Sequence, residues 1–164
     1  MKLVPYQPQW KAAFETEAEL LRSLIGDAAL QIEHIGSTAI PGMCSKPIID
    51  LMVAIEDLNA AHNWITKLEQ QSYEFRPNVA PPDRLFFAKG ERSNRTHHLS
   101  VTEPDSVFFR EKILFRDYLS NNDEAFDEYE ELKTKLAEKF ADKRENYTYG
   151  KEQFVRRILS LASE

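Results

Sequence analysis

Pro47-Ile48-Ile49-Asp50-Leu51-Met52-Val53-Ala54-Ile55 is the most apolar, β-rich run of the 164-residue chain, and its composition predicts a central strand. One residue interrupts it. Asp50 puts a carboxylate inside a stretch that should be largely buried, where an unpaired charge is strongly unfavourable. Side chains alternate along an extended strand, so Ile49, Leu51, Val53 and Ile55 form one apolar face while Ile48, Asp50, Met52 and Ala54 share the other. A cation or a hydrogen-bond donor must therefore stand beside Asp50 on that second face.

Upstream, Gln31-Ile32-Glu33-His34-Ile35 reads as a strand that runs into Gly36-Ser37-Thr38-Ala39-Ile40-Pro41-Gly42. The residues after the strand are small, so backbone amides and the hydroxyls of Ser37 and Thr38 can approach an anionic ligand closely. A Gly-Ser turn after a strand is in itself most often only a turn. Trp10, Phe14, Leu21 and Ile25 recur at helical multiples with Glu15, Glu17, Glu19 and Arg22 between them, which predicts an amphipathic helix over residues 9–25.

Downstream, Leu58, Ala61, Ile65 and Leu68 mark a second helix over residues 58–71, followed by a short strand at Tyr73-Glu74-Phe75 and a Pro-rich loop with Pro77, Pro81 and Pro82. Two more strands, residues 84–89 and 96–101, flank a polar connection suited to a hairpin. In the second of them His97, Leu99 and Val101 share one face and His98 and Ser100 the other. If these strands join one sheet with residues 47–55, His98 is the better partner for Asp50. After Pro104 the spacing is helical, over residues 106–119, 123–140 and 151–161. Strands are gathered early and helices late, so the chain is α+β rather than doubly wound, and its length suits one domain over residues 1–164.

The bulk properties narrow the function. A net charge of -6 argues against broad nucleic-acid binding, which needs a large cationic surface. Any polyanion must be met locally, and residues 76–98 hold five arginines and lysines against two acids. The acid-rich stretch over residues 123–145 has lysines at helical spacing and reads as a solvated helix face. No run is long enough to span a membrane and the first residues do not resemble a signal peptide. A cytoplasmic protein is expected. The single cysteine, Cys44, agrees with a reducing compartment and reads as a small packing residue.

Glu33-His34-Ile35-Gly36-Ser37-Thr38-Ala39-Ile40-Pro41-Gly42, with Lys46-Pro47-Ile48-Ile49-Asp50 after it, resembles the signature of the GrpB family, a bacterial group in the nucleotidyltransferase superfamily. Arg95-Thr96-His97-His98-Leu99, Phe115-Arg116-Asp117-Tyr118-Leu119 and the segment from Tyr147 through Gly150-Lys151 to Phe154 extend the resemblance over nearly the whole chain. It implies a nucleotidyltransferase-like mixed sheet with helices packed on one face and a C-terminal helical half. It also implies that Gly-Ser grips a nucleotide phosphate while strand carboxylates hold a divalent metal for phosphoryl-group transfer. Gly36-Ser37 and Asp50 match the first two elements. Met52 stands where a second carboxylate is expected, and His98 where a third would be, so the metal site is impoverished.

The expected site follows. Asp50 and His98 are the catalytic candidates; Gly36, Ser37, Thr38, Lys46 and Arg84 would hold phosphate; and Asp50, Glu33 and His98 would hold Mg²⁺, Mn²⁺ or a transition metal. On the plainer reading Glu33 pairs with Lys46 or an arginine. The implied activity is metal-dependent transfer of a nucleotidyl group from a nucleoside triphosphate to an acceptor. The alternative is a module of the same fold that binds a nucleotide or another phosphorylated small molecule without turnover.

Overall fold

Five strands form one mixed sheet in the order β1-β2-β5-β4-β3 in the computed structural model, which describes residues 2–164. They are β1 (Gln31–Ile35), β2 (Ile49–Ala54), β3 (Tyr73–Phe75), β4 (Arg84–Glu91) and β5 (Asn94–Thr102). The central pair, β2 and β5, is parallel and the other neighbours are antiparallel. The helices are α1 (Gln9–Ile25), α2 (Ile65–Glu69), α3 (Val107–Asn121), α4 (Asp123–Lys139), α5 (Arg144–Gly150) and α6 (Glu152–Ala162). The α+β class read from the sequence is the observed one, and α1 and β1 begin and end where the periodicity put them.

The strand alternation of β2 decides the layers. Leu51 and Val53, with Leu99, Val101 and Phe87 from the neighbouring strands, pack against Trp10, Leu21 and Ile25 of α1 and Leu68 of α2. This is the face covered by the expected helical layer. On the opposite face Met52, Ala54 and Ile35 join Phe109 of α3, so the C-terminal helical half meets the sheet from the other side. Helices α3, α4 and α6 enclose a third cluster, Leu119, Ala125, Tyr129, Phe154 and Ile158, which takes in Ile40 and Met43 from the loop after β1. Burial of side chains such as Ile40 and Met43 is worth about 1.5–3 kcal/mol each. The helical half thus anchors the loop that carries the Gly-Ser turn.

Two segments depart from the sequence reading. Residues 58–71 do not form one α-helix: Leu58–Trp64 is a 3-10 helix whose start is capped by the Asp57 carboxylate accepting from the Asn59 amide, and only Ile65–Glu69 is α-helical. Asn59, His62 and Asn63 are poor helix formers, which leaves the tighter and shorter geometry competitive. Helix α5 lies between the helical segments 123–140 and 151–161 read from the sequence, in a stretch of seven residues too short to give a periodic signal.

The two adjacent histidines part company across the sheet. His97 faces α1, where its Nε2 lies 3.7 Å from buried Glu17, a carboxylate that also accepts from the Tyr73 hydroxyl at 2.7 Å and from Lys89 at 2.8 Å. His98 faces the other way. Among the described residues no helix is long and apolar enough to cross a membrane.

Candidate functional site

The parallel register of β2 and β5 sets Asp50 beside His98. The His98 Nδ1 stands 3.4 Å from the Asp50 Oδ1, and the Asp50 side chain keeps 35% of its surface in solvent. The edge of Phe86 on β4 backs the imidazole, with ring centroids 5.2 Å apart. Asp50 therefore lies at an open end of its strand, with a donor beside it.

Over this carboxylate passes the turn that ends β1. Gly36 has φ +73°, and a Cβ built on it would lie 2.5 Å from the Asp50 Oδ2. Only glycine tolerates both the backbone conformation and the contact. The chain then makes a 3-10 turn, Ser37–Ala39, closed by Ala39 and Ile40 amides donating to the Gly36 and Ser37 carbonyls at 3.1 Å. Ser37 lies close to the Tyr129 side chain of α4. Thr38 does not offer its hydroxyl to a ligand: it is buried, donates to the Ile48 carbonyl at 3.2 Å and meets the His34 Nε2 at 2.9 Å. Its expected phosphate contact is corrected to a scaffold role, tying the turn to the approach of β2.

Three lysines from distant parts of the chain come within electrostatic reach of Asp50. Lys46, just before β2, and Lys151, between α5 and α6, both stand over the buried ring of Tyr147, at 4.8 and 4.4 Å from its centroid. Lys112 of α3 lies 5.4 Å from the ring of Phe108, whose face also carries the Arg84 guanidinium at 3.9 Å. Each lysine is within electrostatic reach of Asp50 and has a lowered pKa. Loss of surrounding water is the largest cause for all three, acting on Lys112 through the crowding of neighbouring atoms, since that residue stays exposed on α3. Neighbouring positive charge adds to it: Arg144 for Lys46, Arg84 for Lys112, and Lys46, Lys133 and Lys112 for Lys151, whose pKa falls to about 8. Asp50 opposes the trend by favouring the charged forms.

Of the expected cations, Lys46 is thus in the cleft, while Arg84 stands at its edge, ion-paired with Asp83 at 2.9 Å and reaching the site through Phe108 and Lys112. The expected metal trio is not assembled. Glu33 shares the Asp50 face, opposite Met52 in the β1-β2 register, but its carboxylate takes the Arg116 guanidinium at 2.6 Å. Arg116 also donates to the His34 carbonyl at 2.9 Å, which makes this pair a clamp between α3 and β1. Met52 is fully buried beneath α3. Among the described residues no group of three or more His, Cys, Asp or Glu side chains is placed to hold a metal ion. A hard divalent cation wants several oxygen ligands, and here a single carboxylate, Asp50, already beside His98, stands in the field of three ammonium groups that repels a dication. The donor set does not fit a resident metal.

Lys112, Arg116, Tyr147 and Lys151 are the site residues that sequence reasoning did not single out. Lys112 and Arg116 lie one helical turn apart on the same side of α3, and Arg116, Tyr147 and Lys151 fall inside the segments that carry the family resemblance. Two open grooves elsewhere, of about 570 and 510 Å³, show no comparable surplus of charge; the first balances Glu128 and Glu131 against Lys135 and Arg157.

Comparison with known proteins agrees with this architecture. The profile described as GrpB protein matches residues 1–161. The chain is 38% identical over 162 residues to the glutamate-rich protein GrpB of Alkalihalophilus pseudofirmus, covering 96% of this chain and 93% of that one. It is 36% identical over 168 residues to a UPF0157 protein of Pseudomonas aeruginosa, covering 99% of this chain and 67% of the other. The crystal structure of the conserved protein GrpB from Enterococcus faecalis superposes with a TM-score of 0.91 at 31% identity, over 98% of this chain and 96% of that one.

Proposed function

The chain belongs to the GrpB family, and from that premise we propose that it binds a phosphate-bearing small molecule, a nucleotide foremost, beside the Gly36 turn and Asp50, where Lys46, Lys112 and Lys151 stand. The observation that carries this reading is the convergence of Lys46, Lys112 and Lys151 around a single carboxylate. A protein with net charge -6 has no general reason to gather like charges in one place, where they repel and lose water. An anionic ligand removes that repulsion. The ammonium groups supply charge-assisted hydrogen bonds to phosphate oxygens, and the Gly36-Ser37 backbone brings the turn close to them.

The test is thermal denaturation and calorimetric titration with ATP, with adenosine as the control that lacks phosphate. ATP at a hundred times its dissociation constant stabilises the fold by about 2.7 kcal/mol through mass action. Adenosine leaves the transition where it was. The reading fails if neither ATP nor any other nucleoside phosphate shifts the transition.

The Asp50-His98 pair favours a second reading, nucleotidyl transfer. A carboxylate 3.4 Å from an imidazole can orient it to take the proton of an acceptor hydroxyl. The hydroxyl oxygen would then bond to the α-phosphorus while the bond from that phosphorus to the bridging oxygen breaks and pyrophosphate leaves. Pyrophosphate release from ATP in the presence of candidate acceptors separates this reading from binding alone.

A further inference from the structure

The lysines form two shelves. Lys46 and Lys151 share the ring of Tyr147, and Lys112 shares the ring of Phe108 with Arg84. Asp50 is within electrostatic reach of the lysines of both shelves, and Lys112 of Lys151. Aromatic faces fix where the ammonium groups stand without neutralising them, since a ring offers a partial negative face and no counter-ion. Of the acids nearby, Glu33 is engaged by Arg116, Asp83 by Arg84 and Glu130 by the Cys44 amide, while Glu111, next to Lys112 on α3, favours the charged form of that one lysine. Lys133, close to Lys151, is buried and donates to the Cys44 carbonyl, so it belongs to the scaffold.

We propose that these lysines do the work that a divalent cation would do in a related site: the cleft takes a diphosphate or triphosphate group as the free polyanion, with no bridging metal ion. This rests on the phosphate-binding reading given above and adds the ligand's charge state and length. A single phosphate reaches one shelf, whereas two or three linked phosphates bridge both. Bound Mg²⁺ would cancel two of the ligand's negative charges and bring a dication against the lysines.

The experiment is calorimetric titration of the full chain with inorganic tripolyphosphate, orthophosphate and ATP, in excess EDTA and in excess Mg²⁺. Tripolyphosphate and ATP should bind in EDTA, bind no more tightly in Mg²⁺, and exceed orthophosphate by at least about tenfold, since each shelf adds charge-assisted bonds. Lys112→Gln on the exposed side of α3 and Lys151→Gln should each weaken tripolyphosphate by about tenfold, with Lys151→Arg retaining most of the affinity. Tighter binding in Mg²⁺ than in EDTA overturns metal-free recognition and leaves the phosphate-binding reading standing. Orthophosphate matching tripolyphosphate overturns the two-shelf ligand, and glutamine variants that bind like the parent overturn the assignment of the lysines. Absence of binding in every condition overturns both this proposal and the reading beneath it.

Discussion

His34 shows how one side chain can be read down to its proton. Thr38 has a single hydroxyl hydrogen and donates it to the Ile48 carbonyl, so at 2.9 Å its oxygen must accept from His34, which fixes the hydrogen on Nε2. The ring stacks on Phe14 of α1 at 4.8 Å, and burial, with Arg116 adding positive charge, lowers its pKa to about 4 against a smaller opposing pull from Asp50. The folded value is below the unfolded one, so the unfolded chain binds the extra proton first. The contribution of neutral His34 is present in full above about pH 6.5 and is lost as pH falls toward 4, amounting to about 3 kcal/mol at most. Urea unfolding at pH 7, 5 and 4 should show this decline, and His34→Gln should flatten it. An equal decline in the variant would assign the acid sensitivity to other groups.

At the scale of elements, alternation along β2 and β5 made the Asp50-His98 contact legible, because period-two patterning fixes which side chains share a face once two strands are neighbours. What covers a face is a different matter. Met52 follows Asp50 on the same side, as the alternation requires, yet Phe109 of α3 closes over it and leaves it without solvent contact. No local pattern in residues 47–55 announces a helix that starts at Val107. The missing second carboxylate is thus a packing position here, and adding one does not complete a metal site. Met52→Asp should destabilise the protein by about 3 kcal/mol or more, the cost of burying an unpaired carboxylate, read from the urea midpoint. A variant of unchanged stability that gains Mg²⁺ binding would show that α3 leaves this position open. Glu33 teaches the same lesson: the sequence suggests a pairing with Lys46 or an arginine, and the arginine that claims it, Arg116, lies on a helix far along the chain.

For the whole molecule, the site exists only because the helical half returns to the sheet. Ile40 and Met43 sit among residues of α3, α4 and α6, and Lys151 reaches the same aromatic ring as Lys46 although more than half the chain separates them. Helix periodicity marked the apolar sides of these helices but carries no record of long-range convergence, so Lys46 was legible and its partners were not. The overall charge of -6 hides a local field of opposite sign, and that field can be titrated. Lys151, with its pKa lowered to about 8 by burial and by neighbouring lysines, loses its charge in the range where phosphates are already ionised. Tripolyphosphate affinity should therefore be nearly level from pH 7 to about 7.5. Above about pH 8 it should fall by up to tenfold per unit, because each binding event must then recover a proton. Lys151→Arg removes that titration, since guanidinium stays charged throughout, and should carry the level region to higher pH. The affinity at each pH can be followed by titration calorimetry in a buffer series of constant ionic strength. The same downturn at the same pH in the arginine variant would exclude Lys151 as the titrating group and move the field's source to Lys46 or Lys112, whose pKa values are lowered by the same loss of water.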